Sequence, residues 1–265
     1  MQPSETTARL DLALTIAHEA GKRTLSFFQQ PDLQVDRKTD DSPVTKADRE
    51  AEELLRDRIG RAFSDDGILG EEFGGTEGSS SYRWILDPID GTKSFISGVP
   101  LYSVLIGILH QDDSVAGVIL NPGLDECVYA ARGQGAWWQR GGGEALRARV
   151  STRPLCRGVF VSSQVDSFAP RGDAFRQLQQ AAYITRTWGD AYGYMLVATG
   201  RAEVMVDPIM NVWDAAPLQP ILEEAGGSFT DWQGAPTVHA GEGVGCNRRV
   251  LDDVLAITRA SPKPA

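Results

Sequence analysis

The chain has 265 residues with 26 basic and 36 acidic side chains, a formal net charge of −10. A chain of this length buries roughly three quarters of the surface it exposes when unfolded and needs no disulfide or metal staple; its acidity excludes the Lys/Arg surface that a DNA or RNA backbone requires, and 42% hydrophobic residues with 8% aromatics exclude disorder. No apolar run reaches the ~20 residues that span a bilayer, and the polar start, residues 1–10, lacks a basic-then-apolar leader pattern, so the expected compartment is the cytoplasm.

Residues 4–28 are predicted to be helical, because Leu10, Leu14, Ala17, Gly21 and Phe28 recur at helical spacing on one face. Residues 31–42 are polar and read as a loop or short hairpin. Thr45-Lys46-Ala47-Asp48 has the pattern of a capping box, and Ala51, Leu54, Leu55, Ile59 and Ala62 mark the amphipathic helix behind it. Residues 67–70 and 82–86 read as strands, separated by a Gly/Ser-rich loop over 71–81. Residues 104–109 and 114–120 pair about a turn at 110–113, and 126–131 continue the meander. Gly141, Gly142 and Gly143 mark a hairpin turn before 146–150; no Lys-Ser/Thr follows them as in a phosphate loop.

The second half alternates. Strands are expected at 158–162, 202–206 and 228–231, and helices at 170–182, 190–199, 214–225 and 248–259, with Gly226-Gly227 ending the third of these. Strands followed by mixed units argue for sheets layered with helices. No linker separates the approximate halves 1–150 and 151–265, so residues 1–265 are read as one domain.

Cys127, Cys156 and Cys246 form no CxxC and read as small buried hydrophobes. His18, His110 and His239 are scattered and read as surface or core positions. A metal here would be held mainly by carboxylates, which favours Mg²⁺, Mn²⁺ or Ca²⁺.

The most informative stretch is Trp84-Ile-Leu-Asp-Pro-Ile-Asp-Gly-Thr92. Asp87 and Asp90 stand three apart directly after an apolar strand, with Pro88 fixing the backbone between them. Such a turn aims two carboxylates and the Ile89 carbonyl at one point. Gly91 permits close approach of a ligand, and Thr92 adds a hydroxyl; N–H groups of a helix or turn starting there form an anion site beside the acids. Metal plus phosphate is the natural occupant. An Asp N-cap explains one acid, but not the second Asp with Pro and Gly between. Two further segments add acids: Gly70-Glu71-Glu72 after a short strand, and Trp213-Asp214 at a helix start, where Asp214 taken alone is a cap.

Glu71, Asp87-Pro-Ile-Asp-Gly-Thr92 and Trp213-Asp214, in this order, resemble the inositol monophosphatase superfamily of magnesium-dependent, lithium-sensitive phosphatases. The resemblance covers nearly the whole chain. It implies an α+β fold, a layered αβαβα sandwich, and commonly a homodimer. It implies metal ligands at Glu71, Asp87, the Ile89 carbonyl, Asp90 and Asp214, for two or three Mg²⁺ (or Mn²⁺) per site. Thr92 and Asp48, with Glu71 and Asp90, would position and deprotonate the attacking water, and Gly91 and Thr92 would hold the phosphate. Lys38 aligns loosely with a basic residue near the family's site; read by itself it is an exposed lysine. The charge arithmetic agrees: four carboxylates, Glu71, Asp87, Asp90 and Asp214, balance two divalent cations, which then bind phosphate, lower the pKa of a water and stabilise the leaving alkoxide.

Within the superfamily, Asp90-Gly-Thr-Lys-Ser-Phe-Ile-Ser-Gly-Val-Pro100, Trp188-Gly-Asp-Ala-Tyr-Gly-Tyr194 and Val206-Asp207-Pro-Ile-Met210 resemble the histidinol-phosphatase branch. The inositol branch usually continues with Thr-Asn-Phe after Asp-Gly-Thr and has Glu where Asp207 stands. Ser103 and Asn211-Val212 depart from the histidinol pattern. Histidinol phosphate carries an ammonium and an imidazole, for which Asp190 and Asp207, beside Asp90, would be acceptors. Asp190 stays open between substrate contact and helix N-cap. Alternatives are an inositol-1-monophosphatase or a broad-specificity sugar or nucleotide phosphatase of the same superfamily. A different class is a non-catalytic RNA- or polymerase-associated regulator, which the net charge disfavours; an inactive relative would lack a metal ligand, and none is missing. The expected partner is a small-molecule phosphate monoester, with no nucleic acid and no membrane.

Overall fold

In the computed structural model, which describes residues 3–38 and 42–263, two amphipathic helices lead the chain. α1 (Pro3–Leu25) and α2 (Lys46–Ala62) flank a small hairpin of β1 (Val35–Arg37) and β2 (Pro43–Thr45); residues 39–41 of the expected loop lie outside the described residues. α1 stops short of Phe28, whose ring instead packs on Phe95 and Tyr102. α2 starts on the expected capping box: Thr45 accepts from the Ala47 N–H, and the Asp48 carboxylate accepts from the Thr45 N–H.

β3 (Gly67–Gly70), β4 (Gly74–Thr76) and β5 (Tyr82–Asp90) follow, then α3 (Thr92–Ile96). The meander continues with β6 (Ser103–His110), β7 (Asp113–Asn121), β8 (Glu126–Ala131), β9 (Gly135–Arg140) and β10 (Leu146–Arg147). These strands make an eight-stranded sheet in the order β10-β9-β8-β7-β6-β5-β3-β4, antiparallel except where β3 runs parallel to β5. After it come β11 (Val159–Val161), α4 (Ala174–Ala181), β12 (Ile184–Arg186), α5 (Ala191–Ala198), β13 (Val204–Asp207), α6 (Val212–Ala215), α7 (Leu218–Glu224), β14 (Gly227–Thr230), β15 (Gly243–Asn247) and α8 (Leu251–Arg259). The second sheet has the order β12-β11-β13-β15-β14.

Alternation along the strands sorts the core into layers. Trp84 and Leu86 of β5 point with Val104, Ile106 and Ile108 of β6 toward α1 and α2, where Ala13, Ile16, Leu55 and Ile59 meet them. Ile85, Leu105 and Ile119 point the other way, onto Met195 of α5 and Ile221 and Leu222 of α7. The same middle layer receives Val161, Met205 and Phe229 from the second sheet. That sheet's outer face packs Phe160, Val204 and Val244 on Leu178 of α4 and Val254 of α8. The result is the expected αβαβα order. Central strands covered on both faces read as continuous apolar runs, which is why they were legible.

Four departures from the expected elements have local causes. β5 runs on to Asp90 instead of stopping at Leu86: between the pairs Asp87↔Leu105 and Asp90↔Ser103 it carries one extra residue, a bulge that accommodates Pro88 without a ladder donor. β4 lies in the loop expected over 71–81, built from exposed Gly-Gly-Thr that gives no apolar signal. The helix expected over 214–225 is two, because Pro217 supplies no N–H for its continuation. The helix expected from 170 begins at Ala174, since Pro170 and Arg171 belong to a 3₁₀ turn closed by Gly172 at φ 57°. Short β9, β12, β15 and α3 had no pattern long enough to read.

The α6–α7 corner sits directly on the first sheet. A Cβ on Gly117 would lie 2.3 Å from the Pro217 carbonyl oxygen, and Ser114 Oγ donates to the Ala216 carbonyl at 2.5 Å. That contact carries Asp214, one turn earlier, onto β5. Among the described residues no helix is long and apolar enough to cross a membrane.

Candidate active site

Three elements converge on the end of β5. β5 itself supplies Asp87 and Asp90, α6 supplies Asp214, and the turn after β3 supplies Glu71. Parallel register pairs Gly70 with Leu86, and the Glu71 N–H donates to the Leu86 carbonyl at 3.1 Å, which sets Glu71 beside Asp87. One carboxylate oxygen from each of Asp87, Asp90 and Asp214 lies within 4.8 Å of the others. Asp87 is also within hydrogen-bond reach of Glu71 and of Asp214. The Ile89 N–H donates to Asp87 Oδ1 at 3.0 Å, leaving the Ile89 carbonyl to turn the other way, where Thr92 Oγ1 donates to it at 3.1 Å. Asp214 is not the cap residue itself: Asn211 caps α6, and Asp214, at the third helical position, accepts the Asn211 N–H at 2.7 Å.

Crowding acids in a site partly withdrawn from solvent is costly. Burial, then the charges of Glu71, Asp90 and Asp214, push Asp87 well above the usual carboxylate range. Burial, then Asp190 and Asp214, do the same to Asp90. Asp214 is pushed up to about 7 by burial and by Glu71 and Asp190, against the Asn211 N–H. Such a cluster stays ionised only beside a counter-charge. Its all-oxygen donor set fits a hard divalent cation.

One counter-charge is built in. Lys38 Nζ donates to Glu71 Oε1 at 2.6 Å and to Glu72 Oε1 at 2.7 Å, so the lysine read as exposed is largely covered and belongs to the site. Burial opposes its charge, but the hydrogen bonds to Glu71 and Glu72 win and hold the ammonium above the usual lysine range. Glu72 is pushed up to about 7 by burial, with Lys38 opposing and Glu71 and Asp48 adding to the rise. Asp48 is raised by burial although Thr45 donates to it through N–H and hydroxyl at 2.7 and 2.6 Å.

The other wall is formed by the second half of the chain. Asp190 precedes α5, yet its side chain makes no capping bond; it lines the recess with Ser163 and feels the charge of Lys93. Asp90 Oδ2 accepts the Ala191 N–H at 2.6 Å, which ties α5 to β5. Gly91, at φ 83°, has no room for a side chain, since a Cβ would meet Asp190 Oδ2 at 2.8 Å. Asp207 ends β13 buried, with Oδ1 accepting the Ser163 N–H at 3.0 Å and Oδ2 accepting the Tyr194 hydroxyl at 3.1 Å. Burial and Asp190 push it up to about 6, against Ser163 and Tyr194.

Two hollows adjoin here. One of about 410 Å³ is lined by Glu71, Asp87, Ile89, Asp90, Gly91, Thr92 and Asp214; the other, of about 340 Å³, is lined by Asp190, Tyr194, Asp207, Ile209 and Met210. They share Ser42, Asp90, Lys93, Ser163, Gln164, Asp190, Asn211 and Asp214. Of the acids read from sequence, Asp48 and Glu72 line neither hollow and act on it through Thr45, Lys38 and Glu71. From sequence, Ser163, Gln164, Lys93 and Tyr194 have no assigned site role, and Asn211 is only a departure from the branch pattern. Lys93 and Tyr194 stood inside the quoted runs, and Asn211 precedes a readable helix start. Ser163 and Gln164 follow an ordinary apolar strand and carry no signal. Among the cysteines, Cys127 and Cys246 are buried as expected, while Cys156 is exposed on a 3₁₀ turn.

The chain was compared with known proteins. Residues 6–262 match the model of the inositol monophosphatase family. A histidinol-phosphatase of Chlorobaculum parvum is 46% identical over 238 residues, covering 90% of this chain and 91% of that protein. One from Mycobacterium tuberculosis is 38% identical over 249 residues, covering 93% and 96%. The solved structure of an IMPase from Thermotoga maritima superposes with a TM-score of 0.86 at 30% identity, covering 95% of this chain and 97% of that one. The match in sequence, layer order and acidic centre makes this chain a member of the inositol monophosphatase family, a phosphoric monoester hydrolase.

Proposed function

We propose that this chain hydrolyses histidinol phosphate, with Mg²⁺ held by Glu71, Asp87, the Ile89 carbonyl, Asp90 and Asp214. The observation that carries the substrate reading is the recess beside the carboxylate centre, where Asp207 is buried, Asp190 is half-buried, and neither forms a direct ion pair with a Lys or Arg among the described residues, Lys93 acting on Asp190 from further off. A substrate bringing its own cation, such as an ammonium or imidazolium alcohol, satisfies both acids. The histidinol-phosphatase relatives support the same choice. A core that draws Ile85 and Leu105 together with Met205 and Phe229 supports one phosphatase unit over residues 1–265.

When bound, the cations supply positive charge to the phosphate dianion, acidify a water and stabilise the leaving oxygen. The chain's own groups do the rest. With its proton directed at the Ile89 carbonyl, the Thr92 hydroxyl presents its lone pairs to a water. Glu71, which lines the hollow, is the acid placed to receive that water's proton as the oxygen attacks phosphorus, while Asp48, bonded to Thr45 behind the hollow, acts on it as a buried charge. Gly91 and Thr92 offer backbone N–H groups to the phosphate oxygens. Asp207, fixed through both oxygens by Ser163 and Tyr194, orients the organic part.

The test is phosphate release from histidinol phosphate, inositol 1-phosphate, fructose 1,6-bisphosphate and 3′-phosphoadenosine phosphate, with Mg²⁺ and after exhaustive chelation. A clear preference for histidinol phosphate, lost on chelation, is expected. Comparable rates on all four esters reject the substrate assignment. Full turnover after chelation rejects the metal.

A further inference from the structure

Resting on the metal reading above, we propose that Glu52 is a positioning residue, which holds the turn that presents Glu71 to the metal. Glu52 is fully buried on α2, one turn after Asp48 and one turn before Arg56. Its carboxylate faces away from Asp48's task. Oε2 accepts the Glu72 N–H at 2.8 Å, and Oε1 accepts the Phe73 N–H at 3.3 Å. Arg56 Nε donates to Oε1 at 2.7 Å, and the same guanidinium reaches on to the Gly74 carbonyl and to Thr76 Oγ1. One helical side therefore clamps residues 72–76, the segment leaving Glu71. The opposite side of Glu71 is clamped by β5 through the Leu86 carbonyl.

The fit is close. A Cβ on Gly70 would lie 2.0 Å from Glu52 Oε1, so the carboxylate rests against the backbone immediately before Glu71. Three donors, the Glu72 and Phe73 N–H groups and Arg56 Nε, converge on two oxygens. Only a carboxylate accepts all three. An amide offers one acceptor oxygen and turns a donor NH₂ toward a donor. The turn then loses one anchor, and Glu71 loses its direction while Asp87 and Asp90 keep theirs.

The experiment is Glu52→Gln in the full chain, read by calorimetric titration with Mn²⁺ and by melting of the metal-free protein. Groups that orient metal ligands typically set affinity by 10- to 100-fold, so Mn²⁺ binding is expected to weaken about tenfold or more. Asp66→Asn, in the turn between α2 and β3 where it binds Arg9, is the control for lost stability alone and is expected to lower the melting temperature without altering Mn²⁺ affinity. Should Glu52→Gln not fold, Arg56→Gln keeps the carboxylate and removes its anchor, and it must shift Mn²⁺ affinity in the same direction. Unchanged Mn²⁺ affinity in the folded variant overturns the assignment, whatever the melting temperature does. A wild-type chain that binds no Mn²⁺ overturns the metal reading with it, which separates the two failures.

Discussion

Asp207→Asn is the substitution that most directly tests how the site chooses its substrate. Both Asp207 oxygens already have a protein donor, Ser163 N–H at 3.0 Å and Tyr194 OH at 3.1 Å, so an amide replaces the carboxylate in nearly the same place. What changes is charge and acceptor count. The amide NH₂ meets one of those two donors, and the carboxylate's attraction for a substrate cation is gone. A hydrogen bond to a charged group contributes about 1.5–3 kcal/mol. At 1.36 kcal/mol per tenfold, kcat/KM for histidinol phosphate should fall roughly 10- to 150-fold. Inositol 1-phosphate brings hydroxyls in place of a cation, which bond to an amide as well as to a carboxylate, and should change by less than about threefold, the size of an ordinary surface effect of ±0.5 kcal/mol. Both rates come from one phosphate-release assay on both proteins. An equal fall on the two esters would show that Asp207 supports the fold rather than the choice. No fall on histidinol phosphate would refute the cation-recognition argument. Burial and Asp190 raise Asp207 to about 6, so wild-type kcat/KM for the cationic ester should also decline below that pH as the carboxylate takes a proton.

Other outcomes follow from single contacts. Asp90→Asn should abolish turnover, because Asp90 joins the cluster with Asp87 and Asp214, while circular dichroism and melting stay near wild type; near-normal phosphate release would remove Asp90 from the centre. Gly91→Ala should reduce activity sharply, since its Cβ would press on Asp190 Oδ2 at 2.8 Å and φ 83° is strained for alanine; unaltered kinetics would contradict the close approach. Asp66→Asn should cost about 3–5 kcal/mol of unfolding free energy in urea at neutral pH, because it strands the buried Arg9 guanidinium that now donates to both Asp66 oxygens at 2.7 and 2.8 Å. Burial alone would raise the Asp66 carboxyl, but bonds from Arg9, Ser80 and Trp84 hold it below its usual range of 3.8. Its contribution is therefore present above the unfolded pKa and lost as pH falls through the lower folded value, so wild type should show a steeper acid loss of stability than the variant.

The sequence carried much of the acidic centre because the residues of its turn are near neighbours in the chain. Asp87, Ile89, Asp90, Gly91 and Thr92 sit within six residues, and backbone geometry alone aims them together. The residues that escaped notice are those whose role is assigned by distant neighbours. Ser163 matters only because β11 and β13 lie side by side, which brings its N–H to Asp207. Lys38 looks like any loop lysine until the turn after β3 arrives beneath it. Asp214 carries a further ambiguity: it closes a capping box and it joins the acidic cluster with Asp87 and Asp90, so the local reading and the site reading hold for the same carboxylate.

The boundaries divide in the same way. Strands covered on both faces, β5 through β8, were read from continuous apolar runs. β4, β12 and β15 were missed, since short strands take their conformation from a partner and not from their own pattern. By itself the sequence carried sheets layered with helices and the carboxylates around Asp87–Asp90, because apolar periodicity and an Asp-Pro-Ile-Asp-Gly-Thr turn are encoded between near neighbours, and the resemblance of that turn implied the family and its αβαβα order. Only the tertiary structure decided that Glu71 is held between β5 and Glu52, that Asp207 is fixed by Ser163 and Tyr194, and that Lys38 closes on Glu71 and Glu72. Those are contacts between residues far apart in the chain: α2 and the loop before it meet the turn after β3 on one side of the first sheet, while the pairing of β11 with β13 beside α5 brings Ser163 and Tyr194 to Asp207.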